Sequence, residues 1–132
     1  MRDLTVLQAK RFGTYSCSFQ NTLQEAARVI VEEDISGLVV LDGDGYLAGI
    51  ITRSDLLRAY ISRADWADQP VETYMSREVV TVLPTDHISR VARLLLDKQI
   101  HRVVIVQKEH DRLRPVGVIS DSDLVYHLVK EV

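Results

Sequence analysis

Two short stretches of this 132-residue sequence set hydroxyls and a carboxylate at one fixed spacing, Thr52-Arg53-Ser54-Asp55 and Ser120-Asp121-Ser122-Asp123. Each follows a Gly-led apolar run, Gly49-Ile50-Ile51 and Gly117-Val118-Ile119, so each stands where a strand ends and a helix begins. The plain role of Thr/Ser-x-x-Asp at such a place is a capping box, in which side-chain oxygens satisfy the orphan amides of the first helical turn. Capping and binding use the same place. A helix N-terminus offers N–H groups and a positive dipole end to a phosphate, with neighbouring hydroxyls as further donors. A carboxylate there can accept both hydroxyls of a ribose. Once in a chain the pattern is weak; twice, after matched strands, it is specific.

Other reactive residue types give less. His101-Arg102 would read, in an arbitrary domain, as a solvated strand start; beside the duplicated motif the pair reads as a phosphate contact. His87, His110 and His127 have no spacing that gathers three metal ligands, so no metal site is expected. No nucleophile with an oriented base is present, and no enzymatic activity is expected. The single Cys17 cannot pair within the chain and reads as a reduced, intracellular core residue.

The elements that must position the motif repeat. Residues 22–60 lie over 87–128: Ile35-Ser36-Gly37-Leu38-Val39-Val40-Leu41 falls on Ile100-His101-Arg102-Val103-Val104-Ile105-Val106 at an offset of 65, and the Gly-led runs match at an offset of 68. The three extra residues of the second copy are assigned to a charged hairpin loop, Gln107 to Pro115, with Lys108-Glu109-His110-Asp111-Arg112 as its solvated tip. Each copy reads as strand, helix, strand, strand, helix. Thr22-x-x-Glu25 is a capping box ahead of Leu23, Ala26, Ala27, Ile30 and Val31 at helical spacing. Leu38 to Leu41 and Tyr46 to Ile51 flank Asp42-Gly43-Asp44-Gly45 as a buried hairpin. In the second copy the reading gives a helix from Ile88 to Lys98, strands Val103 to Val106 and Val116 to Ile119, and a last helix from Ser122. Ser62 to Pro70 is the connector, and Trp66 in it reads as a packing residue. The division is 1–64 for the first repeat and 65–132 for the second.

Composition bounds the remaining classes. With 46% hydrophobic and 27% charged residues the chain has the make-up of a soluble globular domain able to bury a core. Sixteen basic against nineteen acidic residues, with no clustered basic stripe, argue against a dedicated nucleic-acid surface. No apolar run approaches the roughly 18 residues of a membrane span, and no export signal is visible, so a cytoplasmic location is expected.

The doubled Gly-apolar-apolar-Thr/Ser-x-Ser-Asp-Leu, with Tyr74-Met75-Ser76 and Val79-Val80-Thr81-Val82 opening the second copy, resembles a tandem cystathionine-beta-synthase-type (CBS) domain pair over nearly the whole chain. The resemblance implies an α+β fold whose halves pack by pseudo-twofold symmetry, with clefts that hold AMP, ADP, ATP or S-adenosylmethionine. It implies a non-enzymatic regulatory module that reports its ligand to a partner protein, without a cofactor, and a homodimer. AMP is the expected ligand; the alternative is a structural dimerisation module with empty clefts or another adenosyl ligand, S-adenosylmethionine or NAD. Asp55 and Asp123 correspond to the family's ribose-binding acid, and Thr52, Ser54, Ser120 and Ser122 to its hydroxyls. The adenine side is implied to come from the opposite half, Val79, Val80 and Ile100 for Asp55, and Thr14, Ile35 and Ser36 for Asp123. Ile100-His101-Arg102 resembles the Ile-His-Arg of AMP-activated protein kinase gamma subunits, whose histidine and arginine contact phosphate. The first copy has Ser36-Gly37 there, so the site of Asp55 is expected to hold phosphate more tightly. The apolar Leu124, Val125, Leu128 and Val129 of the last helix are the expected dimer surface.

Overall fold

The computed structural model describes residues 3–11 and 13–131. Its elements are α1 (Val6–Ala9), β1 (Ser16–Ser18), α2 (Leu23–Glu32), β2 (Gly37–Leu41), β3 (Leu47–Thr52), α3 (Arg53–Ser62), α4 (Val71–Tyr74), β4 (Thr81–Val82), α5 (Ile88–Lys98), β5 (Arg102–Glu109), β6 (Arg112–Ser120) and α6 (Asp121–Glu131). The strand, helix, strand, strand, helix order thus occurs twice, in an α+β fold.

Two compact units result, and their limits differ in kind from the repeat limits at 64/65: one unit is Tyr15–Val79, and the other joins Met1–Thr14 to Val80–Val132. In the first unit β2 is central, parallel to β1 and antiparallel to β3. Its core is Leu23, Ala26 and Ile30 of α2, Leu38 and Val40 of β2, Ile51, Ala59, Val71 and Met75. Trp66 packs against this core, in edge contact with Tyr60. In the second unit β5 is central between β4 and β6 in the same pattern, over a core that includes Val91, Val103, Ile105, Ile119 and also Val6 and Ala9 of α1.

The two four-residue helices therefore belong to units other than those their sequence order suggests. α1 precedes the first repeat but closes the unit of the second: Val6 donates its N–H to Asp86 O at 2.8 Å, and Ile88 donates to Leu4 O at 2.9 Å. α4 precedes the second repeat and closes the unit of the first by the equivalent bonds, Val71 N–H to Asn21 O at 2.8 Å and Leu23 N–H to Gln69 O at 2.8 Å. Every one of these amides lies at a helix start, where no intrahelical partner exists, so each short helix and the long helix beside it satisfy one another.

The hairpins corrected one sequence reading. The stretch Gln107 to Pro115 is not a loop, because β5 and β6 stay paired through Gln107↔Arg114, Lys108↔Leu113 and Glu109↔Arg112. Only His110 and Asp111 make the turn, with His110 at φ 60°. The extra residues lengthen the two strands, a ribbon in which an Arg114–Glu109 ion pair replaces loop entropy. The first hairpin turns at Asp42 to Gly45, where the Asp42 carboxylate accepts from Asp44 and Tyr46 N–H and Gly45 takes a φ of 84° that a side chain would strain. Both hairpins carry a bulge at the same place, between Val40 and Leu41 and between Ile105 and Val106.

Candidate functional site

In the unit Tyr15–Val79, β3 runs directly into α3, and the junction carries the first motif. Thr52, extended at φ −123°, caps α3: its hydroxyl accepts from Asp55 N–H at 3.4 Å, while Asp55 Oδ2 accepts from the Thr52 N–H at 2.8 Å and from its hydroxyl at 3.0 Å. Asp55 is only 6% exposed. Its other oxygen, Oδ1, accepts from Arg58, one turn along the same helix, at 2.6 Å. A carboxylate with a double cap on one oxygen and a guanidinium on the other is a buried group with both oxygens partnered. Ser36 stands beside the junction, its carbonyl accepting from Arg53 N–H at 3.1 Å; Ile35 packs on the core, and Ser54 is exposed on the first turn of α3.

The other unit repeats the arrangement at the start of α6. Asp123 Oδ2 accepts from Ser120 N–H at 2.9 Å and from its hydroxyl at 3.2 Å, and Asp123 N–H donates back to Ser120 Oγ at 3.4 Å. Ser120 and Ser122 hydroxyls are 2.8 Å apart. Asp123 is again 6% exposed. Its Oδ1, however, is held from far away in sequence, by Arg11 Nε at 2.8 Å. That guanidinium lies over the Tyr126 ring, 4.6 Å from its centroid. The segment carrying it is fixed by His127, whose Nε2 donates to Ala9 O at 2.8 Å. His101 packs its carbonyl against Asp121 N–H at 2.9 Å, and its exposed ring, at 77%, meets the Asp121 carboxylate through Nδ1 at 3.0 Å. Arg102 opposes Ser120 in the β5–β6 register, and Val80 and Ile100 are half-buried against the core of this unit, whose N-terminal segment ends at the exposed Thr14.

The structure thus gathers Ile35, Ser36, Thr52, Ser54 and Asp55 at one junction and Ile100, His101, Arg102, Ser120, Ser122 and Asp123 at the other, with Val79 closing the first unit's sequence. Sequence reasoning missed the two arginines and Tyr126. Arg58 was legible as an i, i+3 partner of Asp55. Arg11 was not, because nothing local relates it to a residue 112 positions on. Among the described residues no group of three or more His, Cys, Asp or Glu could hold a metal ion, and no helix is long and apolar enough to cross a membrane.

The strands that lead to both acids each carry, three residues before their end, a glycine that admits no side chain freely. A Cβ on Gly49 would stand 2.5 Å from Ser76 O and 2.9 Å from Met75 Sδ, and one on Gly117 would stand 2.8 Å from Lys10 Cδ. Cys17 of β1 is half-buried, and desolvation pushes its thiol up to about 11.

Comparison with known proteins locates this geometry. The family model described as CBS domain matches residues 15–62 and again 71–130. The transcriptional repressor CcpN of Bacillus subtilis is 28% identical over 130 residues, 96% of this chain and 61% of that protein, so the chain spans under two thirds of the repressor's length. Among solved structures, a CBS domain protein of Pyrobaculum aerophilum complexed with AMP superposes with a TM-score of 0.83 at 25% identity, over 97% of each chain. The CBS domain pair of protein MJ0100, in complex with 5′-methylthioadenosine and S-adenosyl-L-methionine, superposes with a TM-score of 0.86 at 23% identity, over 99% of this chain and 100% of that one.

Proposed function

The chain belongs to the CBS domain family, and from that premise we propose that it is a non-enzymatic regulatory module that binds an adenine nucleotide, AMP before ADP or ATP, and signals to a partner protein. The observation that carries this reading is the duplicated buried acid. Asp55 and Asp123 each sit in the first turn of a helix, with one oxygen committed to the cap and the other directed to an arginine, whose place a ribose hydroxyl can take wherever that cation is able to leave. The AMP-bound relative at 25% identity supports the choice of ligand.

In this proposal Thr52, Ser54, Ser120 and Ser122 supply hydroxyl donors beside the two acids. His101 and Arg102 supply phosphate contacts, and Val79, Val80 and Ile100, with Thr14, Ile35 and Ser36, supply the adenine side. Thermal unfolding against AMP, ADP, ATP, S-adenosylmethionine and NAD tests it, together with mass spectrometry of any molecule released from the purified protein. A ligand at a hundred times its dissociation constant adds about 2.7 kcal/mol. No stabilisation by any adenosine compound at millimolar concentration removes the proposal.

A second reading, a structural dimerisation module, is favoured by a separate observation. A mostly apolar groove of about 450 Å³ runs between α2 and α3, lined by Ala27, Ile30, Val31, Leu56 and Leu57 together with Asp34 and Arg53, and α6 exposes Val125, Leu128 and Val129. The two readings are compatible: a homodimer can carry the nucleotide sites.

A further inference from the structure

The two acids differ in how their outer oxygen is covered, and we infer that Arg11 is a latch that closes Asp123, but not its counterpart Asp55, to a ribose. The inference rests on the nucleotide-binding reading above. In both units Oδ2 already accepts two bonds from the capping residue, which fills its lone pairs, so an incoming diol must bind through Oδ1. In both units an arginine stands on that oxygen.

Removing the two arginines is not equally easy. Arg58 comes from the helix of Asp55 itself, its side chain is 68% exposed, and on release it moves into water. Asp55 itself is buried, but its cation keeps its access to water, so the exchange costs less there than where the cation is covered. Arg11 is 24% exposed and is held on three sides: Nε on Asp123, guanidinium face on the Tyr126 ring, and a backbone anchored two residues earlier by the His127 bond to Ala9. Tyr126 occupies in α6 the place that Arg58 has in α3, three residues after the acid. Where the first repeat places the cation, the second places a ring that receives a cation from α1's segment. A ribose at Asp123 must therefore break a charge-assisted bond and a cation–π contact together.

The test uses adenosine, because an uncharged ligand has no phosphate to capture Arg11 for itself. Calorimetric titration of the full chain is expected to give one adenosine equivalent for the wild type, abolished by Asp55→Ala. Arg11→Gln is expected to give two, the second tightened by roughly ten- to a hundredfold relative to wild type, the worth of a hydrogen bond to a charged group. Asp123→Asn in the Arg11→Gln background removes the gained event. Tyr126→Leu keeps the arginine but removes its ring, and is expected to tighten the second event by less. It also covers the case in which Arg11→Gln unfolds. Two equivalents in the wild type, or an unchanged single event in both Arg11→Gln and Tyr126→Leu, overturn the latch while leaving the nucleotide reading in place. Absence of any adenosine or AMP binding in every variant overturns the nucleotide reading and the latch with it.

Discussion

Alanine at Gly49 and at Gly117 should have very unequal consequences, although the two glycines occupy the same position of the repeat. At Gly49 the new methyl would lie 2.5 Å from the Ser76 carbonyl oxygen, about 0.9 Å inside ordinary contact. That carbonyl cannot withdraw cheaply, because Ser76 and Ile50 exchange two backbone bonds of 2.9 Å each. Met75, the second neighbour, is itself part of the core. The cost belongs at the upper end of overpacking, about 3 kcal/mol, since either the bridge or the strand must move. At Gly117 the nearest atoms are Cδ and Cε of Lys10, 2.8 Å away, the far part of a flexible side chain that can swing aside. There the loss of about 1 kcal/mol or less is offset by the backbone freedom that alanine removes from the unfolded chain, a gain of about 0.4–1 kcal/mol. Equilibrium urea unfolding of the two variants, compared at a common slope, measures both. Equal destabilisation, or a greater loss at Gly117, would refute the reasoning that a fixed carbonyl and a mobile methylene chain resist a methyl group differently.

Arg102→Ala is expected to weaken AMP binding by roughly ten- to a hundredfold and adenosine binding far less, with His101→Gln acting in the same sense; equal losses for both ligands in calorimetry would remove these residues from the phosphate. Cys17, with its thiol pushed up to about 11, should react with a thiol reagent at pH 8 about a hundredfold slower in the folded chain than in urea, and equal rates would contradict its burial. Because the folded pKa lies above the unfolded one, the associated stability is intact below about pH 9 and declines as pH rises toward 11, by up to about 1.4 kcal/mol per pH unit. Light scattering should give twice the 15.0 kDa chain mass, and Leu57→Glu or Val129→Glu should return it to the monomer; a monomeric wild type at high micromolar concentration would defeat the dimer.

What the sequence made legible was what is local. Thr22-x-x-Glu25 and Thr52-x-x-Asp55 announce α2 and α3, and both form complete capping boxes. The apolar spacing of Ile88, Val91 and Leu95 marks α5 with its limits, since Gln99 ends it in the left-handed region. The ribbon beyond Val106 was misread because its residues are charged, and charge was taken for a loop; cross-strand pairing of Glu109 with Arg112 and Arg114 was the physical alternative. α1 and α4 escaped because four residues show no periodicity, although Thr5-x-x-Gln8 is itself a capping box. At the candidate site both acids and their hydroxyls were readable from spacing. The cations covering them were readable only when close in sequence, as for Arg58.

The placement of α1 has a consequence for the order in which the chain can fold as it leaves the ribosome. Residues 15–79 form a continuous unit, complete with α4, once residue 79 has emerged. The segment before it cannot finish: Val6 and Ala9, fully buried in the folded protein, have no core to enter until α5, β5, β6 and α6 exist. At ~5–20 residues per second the roughly fifty intervening residues take about 3 to 10 seconds to make. For that interval Val6 and Ala9 lack the core that covers them in the folded unit, and Arg11 lacks Asp123. The second unit's closure therefore waits for α6 to be synthesised.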